Sequence, residues 1–339
     1  LSHIKEQPKK ANRKVMPKEL IHFKTALRTA TGVADPQLSA VLSTHTHGLL
    51  LGSIIHDAFF YGIHRQGHTF QHLAHAFHGI DGQDTFTLLK LQAEHVRSTP
   101  HTELATALFI GMASHIFADA TMHPMVWYLS GDYFAPTPKA RSLARQRHRA
   151  LESLMDMLIC PEMVGRPLFS IAHLLKRTGE ALYQAVPIHQ LAMMSKCSAN
   201  ELQAGLKQAL TIFATLQKFN SRQWLARPLY ATTPFLPRQA REIIALFHAP
   251  QLLRQADTLR NAITYQHPVS GLMYTESIET MIDKAVTRTL AVCDTDTPSS
   301  SSDWSPLFTE KGPSLETGEN ASSTQDMRHF ATPPFPQLP

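Results

Sequence analysis

The apolar run from Ala105 to Leu129 carries an ionisable residue at every fourth position of its middle: His115, Asp119 and His123, within GMASHIFADATMHP. A helix turns by about 100° per residue, so steps of four keep the three side chains within roughly an 80° sector, with neighbours about 5–6 Å apart. One face of an otherwise greasy helix is therefore polar. The run is long enough to span a membrane, but an Asp at mid-bilayer costs about 2.5–3.5 kcal/mol, two His add to this, and Pro124 interrupts the run. A buried helix of a globular protein remains, in two forms. Either the polar residues hydrogen-bond one another, or they hold a metal. Imidazole nitrogen and carboxylate oxygen one turn apart suit zinc at about 2.0–2.2 Å, and a cation removes the cost of burying the carboxylate.

The distribution of histidine favours the second form. The chain has 20 His in 339 residues, and 15 of them precede residue 160. Hydrophobic residues at 43% and charged residues at 17% describe a folded chain with a substantial core. The net charge of +5 suits an anionic surface or a phosphate-bearing substrate, without the dense basic block that tracks a nucleic-acid backbone. Only three cysteines occur, Cys160, Cys197 and Cys293, with no C-x-x-C spacing, so a metal here must be held by His and carboxylate. The amino end, LSHIKEQPKKANRKVMPKEL, lacks the apolar stretch of a secretion signal, and a cytoplasmic location is the expectation from that feature.

Hydrophobic periodicity predicts an all-α, multi-helix bundle: a flexible segment over 1–16, a helical domain over 17–293 with its metal-site half at about 17–160, and a disordered tail over 294–339. Helices are expected at 17–31, at 38–62 with breaks at Gly48 and Gly52, and at 85–96, 102–123 and 138–159. Further helices are expected near 167–184, 199–219, 236–262 and 271–292. The tail turns to Ser, Thr, Pro, Gly and Glu, including SSSS at 299–302.

RHRALESLMDML, residues 147–158, repeats the spacing of the first stretch with His148, Glu152 and Asp156. On a surface helix these would be ordinary solvated charges; beside a His-rich helix they offer a second imidazole and carboxylate pair one turn apart. GSIIHDAFFYG at 52–62 places Asp57 among apolar residues beside His56. Adjacent helical residues point about 100° apart, so one of the two is the ligand and the other faces away. His64, His68, His72, His75 and His78 follow, and His78 stands at a helix-to-loop transition ahead of GIDGQDT. Spacing alone does not select among them.

Taken in order, the early I-H-F, then G-S-I-x-x-D-x-F-x-Y, H-G-x-D, G-x-x-x-H-x-x-x-D-x-x-x-H-P and H-x-x-x-E resemble the bacterial zinc-dependent phospholipase C family. That family is related to the amino-terminal domain of glycosylphosphatidylinositol-specific phospholipase D. The resemblance covers roughly residues 16–160 and implies an all-helical fold holding two or three zinc ions between helices. Carried over by position, it implies that Asp57, His78 and His115 hold one metal, that His123, His148 and Glu152 hold another, and that Asp119 bridges. His22 matches the histidine that shares a third metal with Asp119. The chain departs from the pattern in having no Trp before Trp127 to complete that third site, and His56 where the family commonly has Pro.

The implied reaction is cleavage of a phospholipid or other phosphodiester by metal-activated water, with Asp57 orienting or deprotonating that water. Peripheral membrane contact fits such a substrate, and no specific nucleic acid is expected. Three other readings stay open on sequence: a nuclease with a similar helical trinuclear zinc site, an HD phosphohydrolase through His56-Asp57, and a non-catalytic helical metal-binding protein.

Overall fold

The computed structural model describes residues 19–62, 67–294 and 304–338. The segment expected to be flexible, 1–16, lies outside the described residues, as does His64, and the side chain of His68 is likewise not described. The fold is all-α, with one small antiparallel hairpin among the described residues.

Its centre is the helix Thr102–Ser130, buried along nearly its whole length. A helix apolar on every side has no face to give to water, so it becomes the axis on which other helices pack. This is the described helix long and apolar enough to cross a membrane; here it lies inside the protein. Around it stand Leu20–Gly32, Thr46–Gly52, Thr87–Val96, Pro138–Ile159 and Ile278–Cys293. Pro138–Ile159 has the bounds expected from sequence, and its start is explained by Pro138 in the first turn and by Thr137, whose side chain accepts from the Ala140 N–H.

The helix expected over 38–62 is instead three short helices, Pro36–Thr44, Thr46–Gly52 and Ile55–Ala58, ending in a 3-10 turn, Phe59–Tyr61. The breaks fall at His45 and, directly after Gly52, at Ser53–Ile54, while Gly48 lies inside a helix. Those glycines serve packing. A Cβ on Gly52 would lie 2.2 Å from the Leu108 carbonyl oxygen, and one on Gly111 would lie 2.1 Å from that of Leu49. Two backbones thus meet with no side chain between them, and the crossing sets Ser53 and Asp57 against the His115 turn of the long helix.

Gly111→Ala should therefore force the two helices apart, destabilise the fold by about 1–3 kcal/mol or more, and reduce metal uptake with it. Denaturant unfolding and elemental analysis of the variant read both effects. An unchanged unfolding midpoint would show that the close approach is not needed.

Two other expectations are corrected. The helix expected over 236–262 is instead Arg238–Ile244, a 3-10 stretch Pro250–Gln255 and Asp257–Arg260, and the one expected over 271–292 is present as Ile278–Cys293, preceded by a hairpin in which Ile263–Gln266 and Met273–Glu276 pair antiparallel, with Ile263 opposite Glu276. The alternating β-prone residues of ITYQ and MYTE and the turn residues between them account for it. The disordered tail is corrected over its described part. Residues 295–303 lie outside the described residues, but 304–338 pack on the helical body. Trp304 stacks on Phe109 at 4.4 Å between ring centroids, Phe308 meets Phe86 at 5.0 Å, and Leu315 is fully buried. A polar composition describes the average of this segment; a few well-spaced apolar anchors decide its fate.

Candidate metal centre

Five elements deliver the expected residues to one place. Leu20–Gly32 supplies His22, Ile55–Ala58 supplies Asp57, the residue after Gly67–Phe77 is His78, Thr102–Ser130 supplies His115, Asp119 and His123, and Pro138–Ile159 supplies His148 and Glu152. All eight side chains are buried, none more than 7% exposed. Asp57, His78, His115 and Asp119 can each offer one ligand atom to a common point, and so can His123, His148 and Glu152.

Asp119 joins the two groups. Its carboxylate oxygens lie 3.2 Å from His115 Nε2, 3.3 Å from His22 Nε2 and 3.6 Å from His123 Nε2. Asp57 Oδ1 is 3.1 Å from His78 Nε2, and Glu152 Oε1 is 3.2 Å from His148 Nε2 and 3.5 Å from His123 Nε2.

The other ring nitrogens explain why Nε2 is the one presented. His78 Nδ1–H donates to the Ala74 carbonyl at 2.8 Å, His115 Nδ1–H to Ser53 at 2.9 Å, and His123 Nδ1–H to Leu315 at 2.8 Å. A neutral imidazole that donates from Nδ1 keeps a lone pair on Nε2. Each Nε2 then faces a carboxylate oxygen across a gap that a metal ion or a proton can fill. Asp57 Oδ2, Asp119 Oδ2, Glu152 Oε2 and the Nε2 atoms of His115 and His148 are moreover buried without a hydrogen-bond partner. Unsatisfied groups of this kind cost about 1–3 kcal/mol each when nothing compensates them, more where the group is charged. Three buried carboxylates with imidazole nitrogens, and no cysteine in either group, make a ligand set that fits zinc.

Electrostatics agree. Burial raises the Asp119 pKa, but His123, His115 and His22 outweigh it and hold the carboxyl well below its ordinary range. Glu152 is likewise brought down to about 2, as His148 and His123 overcome its burial. Burial holds His22 down at about 4, leaving a neutral imidazole. At His123 burial opposes protonation, yet Asp119, Glu152 and Glu316 raise the pKa to about 10. The pocket draws positive charge.

Some placements could not be read from spacing. His56 does not face away from the cluster; its ring is buried parallel to that of His115, 4.8 Å between centroids and 7° between planes, and His22 stacks on the opposite partner at 4.5 Å from His115. It belongs to neither ligand group. Asp156 leaves the stripe begun by His148 and Glu152: it accepts the backbone N–H groups of Leu20 and Ile21 and approaches His248 Nε2 at 3.3 Å. It thereby fixes the start of the helix that carries His22. The tail contributes Leu315, through the bond to His123, and buried Glu316, which accepts from Trp127 Nε1 at 2.6 Å. Nothing in the sequence marks these two, which lie in a segment that reads as linker.

A family model, zinc dependent phospholipase C, matches residues 21–220, more than half of the chain. The chain belongs to the zinc-dependent phospholipase C family. The match takes in every residue of the cluster from His22 to Glu152 and stops before the hairpin and the tail. No curated protein and no solved structure matches the chain. At the level of the family, this is a zinc phosphodiesterase domain with two His and carboxylate clusters.

Proposed function

We propose that this protein hydrolyses phospholipids at the bond between phosphate and diacylglycerol, as a phospholipase C. The observation that carries the reading is the convergence of Asp57, His78, His115 and Asp119, and of His123, His148 and Glu152, on two buried points, with Asp57 Oδ2, Asp119 Oδ2, Glu152 Oε2 and Nε2 of His115 and His148 left without a hydrogen-bond partner. Asp57, His78 and His115 would hold one zinc, His123, His148 and Glu152 a second, with Asp119 shared, and His22 and Asp119 would hold a third. Zinc bound there lowers the pKa of water towards 7 and offsets the charge that develops on the phosphoryl oxygens.

The protein's own groups do the rest. Asp57 Oδ1 lies against His78, while Oδ2 is left without a partner and is the acceptor for the proton of the attacking water. The carbonyls of Ala74, Ser53 and Leu315 hold three imidazoles in the tautomer that presents Nε2. Attack at phosphorus breaks the bond to the diacylglycerol oxygen, which leaves with a proton, and the phosphorylated headgroup is the second product.

Purified protein supplied with zinc should release diacylglycerol and a phosphorylated headgroup from mixed phospholipid micelles, and chelator should stop the release. Phosphatidic acid as product would replace the reading with phospholipase D cleavage. Faster hydrolysis of single-stranded nucleic acid than of any lipid would replace it with a nuclease. Full zinc loading without hydrolysis of either would leave a structural metal site.

A further inference from the structure

The segment that straddles the end of the family match has a surface without negative charge. From Leu202 to Arg241 the chain contains Lys207, Lys218, Arg222, Arg227, Arg238 and Arg241 and not one Asp or Glu. Within it, the helix Gln223–Thr232 runs on into a 3-10 turn, Thr233–Phe235. Ala226, Tyr230 and Thr233 face the protein, at spacings of one turn. Trp224 and Phe235 point the other way, and they are 71% and 89% exposed. Both rings therefore stand in solvent at the two ends of this stretch, with exposed Arg227 between them in the chain.

An indole and a phenyl ring held in water beside unopposed cations call for a partner that is apolar and anionic at once. Arg222, Arg227 and Arg238 have no carboxylate partner among the described residues, and Lys207, which pairs with Glu180, sits at the far end of the stretch. An open cleft of about 500 Å³ adjoins the same helix, lined by Arg227, Tyr230, Gln251, Arg254 and Gln255. Two guanidinium groups lining one cleft suit a phosphate group.

We infer that this face docks the protein on an anionic phospholipid surface, with Trp224 and Phe235 entering the interfacial layer and Arg222, Arg227, Arg238 and Arg254 contacting lipid phosphates. The choice of a lipid surface as partner rests on the phospholipid-cleaving reading above. Aromatic rings settle at the headgroup level of a bilayer, and cations near an anionic leaflet strengthen binding by roughly fivefold each. The surface is also tied to the metal centre. The next helix, Arg238–Ile244, carries buried Glu242, which accepts from Ser142 at 2.7 Å and pairs with Arg145 at 2.8 Å. Both partners belong to Pro138–Ile159, the helix of His148 and Glu152, so the face is joined through buried polar contacts to a helix that carries ligands.

Trp224 is a built-in reporter, since Trp127 and Trp304 are buried. With chelator present to silence hydrolysis, vesicles of phosphatidylcholine mixed with phosphatidylglycerol should shift its emission to the blue and carry the full-length protein down on sedimentation. Arg222→Gln/Arg227→Gln/Arg238→Gln should bind these vesicles about 100-fold more weakly. Phe235→Ala should weaken binding by about 10-fold and leave hydrolysis of a short-chain phospholipid, dispersed as monomers, unchanged. Absence of the blue shift, or variants that bind vesicles as the parent does, would overturn the docking face whether or not micelles are hydrolysed. Conversely, vesicle binding without hydrolysis under zinc would uphold the face and remove the enzymatic reading. A Phe235→Ala variant that abolishes self-association in light scattering, with vesicle binding untouched, would assign the face to a second copy of the chain and also overturn the inference.

Discussion

Asp119→Asn should strip the protein of at least one zinc per chain and lower phosphodiester hydrolysis by more than about 100-fold, beyond the roughly 10–100-fold expected for loss of an outer partner. The reason lies in the three imidazoles around it. His115, His22 and His123 approach the carboxylate at 3.2, 3.3 and 3.6 Å, so a single charge serves both ligand groups. Asn has the same shape and keeps one oxygen, and its NH₂ can donate to an Nε2 lone pair. The fold is thereby preserved while the charge that attracts metal is lost. Circular dichroism should be unchanged, while elemental analysis and hydrolysis of a soluble phosphodiester should both fall. A variant that retains its full metal complement would show that Asp119 is a packing residue.

Removal of residues 304–339 should have the second large effect, on both stability and metal. Trp304, Phe308, Leu315 and Met327 are buried, and burying an apolar side chain of this size is worth about 1.5–3 kcal/mol. The entropy of ordering the segment offsets much of that sum, so a net loss of a few kcal/mol is expected. The metal effect is more specific. Without the Leu315 carbonyl, His123 loses the acceptor that holds its Nδ1–H, and affinity at the His123, His148 and Glu152 group should drop by about 10–100-fold. Zinc titration should then show one class of site weakened and the Asp57, His78 and His115 group less affected. A truncated chain with the parent's melting temperature and zinc affinity would return the tail to the role its composition suggests.

The behaviour of that tail shows where sequence stops being informative. Period and residue chemistry were enough for the long helix, for its polar stripe at His115, Asp119 and His123, and for the pair at His148 and Glu152, because ligands one turn apart on one helix are fixed by local geometry alone. The start of Pro138–Ile159 is set by a Thr cap and a leading Pro, again local signals. His22, Asp57 and His78 came only from the order of motifs that the family resemblance supplied. Nothing local brings a residue at 22 or 57 against one at 119, and that approach depends on Gly52 meeting Gly111 and on Asp156 holding the start of the first helix.

Tertiary structure alone decided the rest. Asp156 carries the same spacing as Glu152 and yet serves backbone amides, because two residues four apart share a face but not a set of neighbours. His56 is buried in a stack of imidazoles that no periodicity encodes. Leu315 lies 192 residues from His123, and its carbonyl, a group present in every residue, gives the sequence nothing to mark it. Long-range contacts of this kind depend on which surfaces the packed helices leave open, and that is a property of the assembled fold.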